Sequence, residues 1–286
     1  MKKSTKIWLI IAAAAVLIGS ILFAIVMSTL GWDISGLSTS KYETNKYEID
    51  QPFNDISLTT DTADIEFILC DCANGEVECY EEKSAKHSVY VENNTLMIKA
   101  DNAKPWYEYI GFHFGSPKIT VYLPKGEYGE LSIRESTGNI EIPSSFTFER
   151  ADISASTGNV NYFAGARGSV KIKTSTGDIR AENSSVGSLD LSVTTGNVNL
   201  YSVSCKSLTS SGSTGNISLN SVVAEQDISI TRSTGNVTFD GSDASKILVK
   251  TSTGNVTGSL LSDKDFIVII GTIVTFFITN VYITLT

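Results

Sequence analysis

The chain reads as an all-β protein: a repeat β-solenoid, β-helix-like with coils of about 19 residues, preceded by an N-terminal transmembrane helix. One short phrase recurs seven times, as Ser136-Thr-Gly-Asn-Ile140, Ser156-Thr-Gly-Asn-Val160, Ser175-Thr-Gly-Asp-Ile179, Thr194-Thr-Gly-Asn-Val198, Ser213-Thr-Gly-Asn-Ile217, Ser233-Thr-Gly-Asn-Val237 and Ser252-Thr-Gly-Asn-Val256. Its glycines fall at 138, 158, 177, 196, 215, 235 and 254, a period of 19 or 20 residues. Around each glycine apolar and polar residues alternate with period two, the mark of half-buried strands. Ahead of all this stands a long uncharged run at the N-terminus.

That run comes first in chain order. Lys2, Lys3 and Lys6 precede an uncharged stretch from Ile7 to Trp32, ended by Asp33. It is long enough to span a bilayer with some tilt, and too long for the apolar region of a cleavable signal peptide. Met27-Ser-Thr-Leu-Gly31 is also a poor cleavage site. Residues 1–32 are therefore expected to be an uncleaved signal-anchor, with the lysines in the cytoplasm and the bulk of the chain outside.

Residues 33–46 are polar and read as a linker, and 47–125 as a β-rich lead-in or cap region. Ile56 and Leu58, then Ile65, Phe67 and Leu69, alternate with polar residues. Thr60-Asp-Thr-Ala-Asp-Ile65 looks like a worn copy of the repeat, with Ala63 at the glycine position. Asn74-Gly75 is a strong hairpin signal, and Val89/Val91 with Leu96/Ile98 make a further pair around Asn93-Asn94. No helix is expected after the anchor.

The solenoid itself is placed at 126–262. Apolar residues sit seven and five positions before each glycine, and two and usually four after it; Leu189, Leu191, Val198 and Leu200 are one such set. One unit buries too little to fold alone, and stacking supplies the rest. Glycine is wanted at the turn because it takes φ > 0 without steric cost. The next position is Asn139, Asn159, Asp178, Asn197, Asn216, Asn236 or Asn255, a residue that tolerates the left-handed region, bonds local backbone and, stacked on itself, can form an amide ladder. A second, looser break recurs near Asn183-Ser-Ser, Ser202-Val-Ser and Gly241-Ser-Asp. An antiparallel sheet with Gly-Asn hairpins competes, but uniform spacing favours stacked coils.

At these residues the chain resembles the bacterial DUF4097 family, whose members are often labelled adhesins. The segment Ile119-Thr-Val-Tyr-Leu-Pro-Lys-Gly126 followed by Leu131-Ser-Ile-Arg-Glu-Ser-Thr-Gly-Asn-Ile140 looks like the way that family leads into its repeats. The resemblance covers roughly 45–262. It implies an N-terminal anchor, a β lead-in, repeated turn units and an envelope role, and it brings no catalytic residues.

Candidate chemistry is sparse. The net charge of −9 argues against nucleic-acid binding. If Asn74-Gly75 is a two-residue turn, Cys70 and Cys79 lie directly opposite, and outside the membrane they can close a disulfide. Free, partly buried thiols compete with that reading. A metal site from Cys70, Cys72 and Cys79 is the weakest, because C-x-C is not zinc-finger spacing and His87 is the nearest histidine. Cys205 reads as a lone core residue. The turns have too few carboxylates for calcium. Asp152, Asp190 and Asp227 lie at outward positions but form no register column with an arginine. With His87 and His113 both in the lead-in, no Ser/His/Asp set is credible. No catalytic residue, metal or cofactor is expected.

Trp106-Tyr-Glu-Tyr109 with Phe112 and Phe114 reads as a loop covering the open end of the solenoid, or as an exposed contact patch. Residues 263–286 form an atypical hydrophobic tail, in which the next glycine position holds Ile273. Aberrant final strands, a second membrane helix and a tail read in a shifted frame compete, and a degraded final coil is preferred. The function expected is that of a non-catalytic, adhesin-like envelope interaction or structural module. It would be held to the membrane by its helix and contact cell-wall polymer or an envelope protein. A membrane-bound sensor or modulator of envelope stress is the alternative, and a carbohydrate-active β-helix enzyme a third. The oligomeric state is left open.

Overall fold

The computed structural model describes residues 3–33, 41–101 and 115–262, and the backbone of 265–272, 276–279 and 282–285. The chain divides into two compact units, Met1–Tyr42 with Lys104–Gly115, and Glu43–Ala103 with Ser116–Thr286.

Helix α1 (Lys3–Thr29) lies in the first. Its segment Ser4–Thr29 contains an 18-residue stretch with a mean hydropathy of 2.9 and is long and apolar enough to cross a membrane. The uncharged run extends past the helix because Gly31 stops it. Gly31 takes φ +61, its N–H reaches Ser28 O at 3.3 Å, and the Trp32 N–H reaches back to Met27 O at 2.8 Å. That pair of bonds is a glycine-centred helix stop.

In the second unit, β1 (Tyr42–Glu48), β2 (Asp55–Thr62), β3 (Asp64–Cys70), β4 (Glu76–Glu82), β5 (His87–Glu92), β6 (Thr95–Ala100) and β7 (Lys118–Pro124) precede the repeats. Long and short strands then alternate: β8 (Glu127–Thr137) and β9 (Ile140–Ile142), β10 (Thr147–Thr157) and β11 (Val160–Tyr162), β12 (Gly165–Thr176) and β13 (Ile179–Glu182), β14 (Ser185–Thr195) and β15 (Val198–Tyr201), β16 (Ser204–Thr214) and β17 (Ile217–Asn220). After the short β18 (Val223–Ala224) come β19 (Asp227–Thr234) and β20 (Val237–Ser242), then β21 (Lys246–Thr253) and β22 (Val256–Leu260). Long strands stack in one parallel sheet and short strands in another, so each coil contributes one strand to each face. The solenoid is the observed fold, and the antiparallel alternative is excluded.

The period-two pattern becomes columns. Leu131, Ala151, Val170, Leu189, Leu208, Ile228 and Ile247 stack in register on the long-strand sheet. Ile140, Val160, Ile179, Val198, Ile217, Val237 and Val256 stack opposite them. Every one of these side chains is buried. The coils differ by one residue in length, and the difference is absorbed in the long-strand sheet, where β12 carries a bulge and β18 breaks from β19, as well as in the looser second turn. There Asn183, Ser202, Ser221 and Gly241 take φ of +51, +51, +54 and +57, one left-handed residue in each of four coils.

The stack begins earlier than residue 126. β2 and β3 form the worn coil: Thr62 pairs with Thr137, Ile65 with Ile140, and the Ala63 N–H donates to Thr137 O at 3.1 Å. β6 and β7 form one more coil, which follows β3 in sequence but lies on its outer side in both sheets. The parallel stack then ends by a change of polarity. β4 runs antiparallel on β7, β1 lies outside β4, and β5 runs antiparallel on β6 through a turn at Asn93-Asn94, both left-handed.

Two expectations are corrected here. Asn74-Gly75 is not a two-residue hairpin, because β7 lies between β3 and β4. Residues 42–46 are strand rather than linker. Their side chains are polar on both faces, because β1 is an edge strand tied by Asn45 to Glu81 and by Lys46 to Glu76 and Glu78. Polarity alone hid it. The aromatic residues read as a covering loop or contact patch, Trp106, Tyr107, Tyr109, Phe112 and Phe114, lie outside the described residues.

At the other end, β23 (Asp265–Thr272), β24 (Phe276–Thr279) and β25 (Tyr282–Leu285) continue both sheets in parallel. Thr272 pairs with Thr253 and Phe276 with Val256, so the segment between these two pairings is one residue longer than in the coil before it.

The repeat glycine is sterically obligatory. At Gly196, φ is +146 and an added Cβ would stand 2.1 Å from Gly177 O. At Gly241, φ is +57 and the nearest atom to such a Cβ is 3.8 Å away. Gly196→Ala is expected to lower stability by about 2–4 kcal/mol and Gly241→Ala by about 1 kcal/mol, read from urea midpoints of the full chain in detergent. Equal losses at the two sites would refute the stacking argument.

Candidate functional site

The sequence-predicted positions form a single edge of the solenoid. At Gly138, Gly158, Gly177, Gly196, Gly215, Gly235 and Gly254, φ lies between +131 and +154. From Gly138 to Gly235, each of these glycine N–H groups donates to the threonine carbonyl of the next coil, as Gly158 does to Thr176 O at 2.9 Å. The following residue is not left-handed, and its side chain does not bond local backbone. Instead its Oδ1 accepts the backbone N–H of the same position one coil on. Asp64 accepts from Asn139 at 2.8 Å, Asn139 from Asn159 at 3.0 Å, Asn159 from Asp178 at 2.8 Å and Asp178 from Asn197 at 2.7 Å. Asn197 accepts from Asn216 at 3.0 Å, Asn216 from Asn236 at 2.9 Å and Asn236 from Asn255 at 2.8 Å. The ladder therefore runs side chain to backbone rather than amide to amide. This is why Asp serves at 64 and 178: the position needs an acceptor, and each Asp has Asn neighbours.

Beside the ladder, Thr137, Thr157, Thr176, Thr195, Thr214, Thr234 and Thr253 form an exposed column, with the Ser or Thr before each forming a second. On the outer face of the long-strand sheet, Asp152 and Asp190 share one column with Lys171 between them. Arg134 from the neighbouring coil meets Asp152 at 2.9 Å. Asp152, Lys171 and Asp190 each stand six positions before their repeat glycine, and no arginine lies in that column; Arg134 reaches Asp152 from two residues further along β8. Asp227 stands elsewhere, opposite Lys246. These are exposed, charge-alternating pairs on a solvated face, worth little individually. A shallow groove of about 590 Å³ crosses β10 to β18 beside the second turn. Its floor is the small-residue column Ala166, Val186, Cys205 and Ala224, and Arg167 and Lys206 stand at its rim.

The cysteines differ from the expected pairing. Cys70 is bonded to Cys72, and Cys79 and Cys205 are free and buried. Cys79 lies opposite Ile119 of β7, so Cys70 is two strands away. Cys79 instead meets a polar cluster closed between the two sheets. Glu81 Oε2 lies 2.6 Å from His87 Nδ1 and accepts the His87 backbone N–H at 2.7 Å. Thr60 Oγ1 is 2.8 Å from His87 Nε2, Asn45 Nδ2 donates to Glu81 Oε1 at 2.6 Å, and the Tyr47 hydroxyl donates to His87 O at 2.9 Å. Burial, with Glu81 and Glu78 adding, pushes the Cys79 thiol up to about 12. The sequence reading discounted His87 because the fold brings it in from another strand.

One inward column is polar and irregular. Three positions before Ala63 and each repeat glycine stand Thr60, Glu135, Ala155, Thr174, Val193, Gly212, Arg232 and Thr251. Arg232 is buried and donates to Val193 O at 2.9 Å, two coils back, across the space that a side chain at Gly212 would fill. Glu135 is buried, and its carboxyl is pushed up to about 8 by that burial, with the charge of Asp64 adding.

Comparison with known proteins agrees with this architecture. The sequence model of the Toastrack DUF4097 family matches residues 53–265. Three solved structures described as putative adhesins are similar in fold. One from Parabacteroides distasonis has a TM-score of 0.55 and 14% identity, covering 87% of this chain and 98% of its own. One from Parabacteroides merdae has a TM-score of 0.53 and 15% identity, covering 85% and 98%. One from Bacteroides fragilis has a TM-score of 0.50 and 18% identity, covering 78% and 97%. No functionally curated protein matches the chain.

Three measurements test the ladder and the interior. Asn216→Ala removes the acceptor for the Asn236 N–H and is expected to cost about 1–3 kcal/mol, whereas Asn216→Asp keeps an acceptor and should cost less. Asn197→Asp sets carboxylates in consecutive coils, about 4.8 Å apart, and should be destabilised at neutral pH with relief on acidification. For Glu135, the folded carboxyl holds its proton up to about pH 8, while the unfolded chain releases it near the ordinary value of 4.5. Its contribution to stability is therefore greatest below that ordinary value and is lost as pH rises towards 8. Glu135→Gln should remove up to about 1.4 kcal/mol per pH unit of that dependence and be more stable than the parent at pH 8, in urea titrations run at several pH values. Parallel pH profiles for the two proteins would overturn the assignment.

Proposed function

The chain belongs to the Toastrack DUF4097 family, and from that premise we propose that it is a non-catalytic, adhesin-like module of the cell envelope, anchored by α1 with its β-solenoid outside the cytoplasm. The observation that carries this reading is the exposed Ser and Thr edge, repeated coil after coil. A row of hydroxyls at about 4.8 Å spacing on a rigid scaffold suits a polymer or extended partner, for which many weak, regularly spaced contacts add through multivalency. The lysines at the start of the chain and the uncharged helix after them support the orientation. A catalytic reading finds less support: the Thr60, His87 and Glu81 chain is hydrogen-bonded but closed between the sheets, and the outward carboxylates are compensated by Lys171 and Arg134. The similar structures described as putative adhesins point the same way.

The full chain, reconstituted into liposomes, should bind purified cell-wall polymer or intact cells saturably. Replacing Thr176, Thr195 and Thr214 together by Ala should weaken binding at least several-fold while leaving the unfolding midpoint little changed. Absence of saturable binding to either surface sinks the adhesive reading and shifts weight to the stress-signalling alternative.

A further inference from the structure

We propose that Cys79, Glu81 and His87 form a binding site for a dication of the zinc class at the capped end of the solenoid. One ligand atom from each of the three lies within 4.8 Å of the others, and all three residues are buried, at 0%, 1% and 6% exposure. Cys79 and Glu81 are two residues apart on the inward face of β4, in the short-strand sheet. His87 opens β5 in the opposite sheet, so the site bridges the two faces where the regular stack ends.

The donor set selects the metal. One sulfur, one imidazole nitrogen and one carboxylate oxygen suit zinc and its first-row neighbours, whereas calcium and magnesium require mostly oxygen. The charge also balances. A thiolate and a carboxylate beside a neutral imidazole supply two negative charges, which a dication neutralises in a place where isolated charge is costly. The surroundings already orient two of the three ligands: Asn45 holds the second oxygen of Glu81, Tyr47 holds the His87 backbone and Thr60 meets the far ring nitrogen. Outer hydrogen bonds of this kind fix ligand direction in metal sites.

Without metal, the hydrogen bonds account for Asn45, Glu81, His87 and Thr60 but give Cys79 no role. The dication gives it one. Zinc–ligand bonds near 2.0 Å in tetrahedral geometry set the nitrogen and oxygen roughly 3.3 Å apart. The Glu81 and His87 contact is 2.6 Å. Binding therefore displaces two protons to solvent, the one between Glu81 and His87 and the one on the Cys79 thiol, and opens the pair by roughly 0.7 Å. Three protein ligands leave a fourth position on the ion.

The test uses the full chain in detergent, stripped with chelator and titrated with cobalt(II) as the spectroscopic probe. One equivalent should bind, with a thiolate-to-cobalt charge-transfer band in the near ultraviolet that zinc displaces. Cys79→Ser should abolish that band, and His87→Ala should weaken binding at least ten-fold. Cys205→Ser and the double variant Cys70→Ser, Cys72→Ser should keep the band. Circular dichroism checks that each variant retains its strand structure, and the parent titration decides even where a variant does not fold. No stoichiometric cobalt binding by the folded parent overturns the proposal. So does a band that survives Cys79→Ser but vanishes with Cys70 and Cys72.

Discussion

The solenoid depends on one close approach, repeated: the peptide at each repeat glycine lies against the same peptide of the preceding coil. An added Cβ at Gly158 would stand 1.7 Å from Gly138 O, and at Gly177 2.0 Å from Gly158 O. The backbone can come that close only where there is no side chain. The approach brings each turn within reach of two bonds to its neighbour: the glycine N–H to a threonine carbonyl, and an Asn or Asp Oδ1 to the next backbone N–H. A tight turn exposes backbone donors that a strand ladder does not pair, and here the neighbouring coil pairs them. Glycine and Asn are thus two halves of one contact, which explains why they recur as a dipeptide while the flanking apolar residues vary freely among Ile, Val and Leu.

What the sequence shows well follows from that constraint. A contact that every coil must make leaves an identical mark in every coil, so the period, the turn and the inward columns were legible, even in the worn copy at Ala63 and Asp64. The chemical role of Asn was read less well. Its tolerance of left-handed backbone is used elsewhere, at Asn183, and the ladder uses only its acceptor. The disulfide expectation failed for a different reason. Local alternation identifies β3, β4 and β7 as strands but carries no record of which lies between which. A two-residue turn is the shortest connection consistent with Asn74-Gly75, and the insertion of β7 between β3 and β4 overrides it. The buried cluster was illegible because its members come from four separate strands, β1, β2, β4 and β5, and no spacing rule links Asn45, Thr60, Glu81 and His87.

The two ends of the stack meet the edge problem in different ways. A parallel coil edge is a template for further strands, and natural sheets blunt such edges. At the start the chain reverses strand polarity with β4 and β5, then closes with β1, whose side chains are polar and carry Lys46 and Glu43 in ion pairs. At the far end the sheets continue into β23, β24 and β25 without the glycine and Asn of the repeat. Oδ1 of Asn255 has no hydrogen-bond partner among the described residues.

Variation inside the stack is regulated by volume across coils rather than within one. Gly212 is small where Arg232, one coil on, is large, and the arginine runs through the space that Gly212 leaves to reach Val193 O. A side chain in a solenoid thus has its neighbours above and below fixed by register, and a large polar residue can be admitted only if the adjacent coil gives way. That rule limits what the regular coils can hold: any group placed there must be compatible with the side chains that register sets about 4.8 Å to either side. A site needing three different ligands in three directions does not meet it. The capped end is free of the rule, because β4 and β5 run against the stack and bring unrelated residues over the last coil. Asymmetric chemistry in this protein is therefore expected where translational symmetry ends, and the meeting of Cys79, Glu81 and His87 at that place follows from the same constraint that makes the rest of the molecule repetitive.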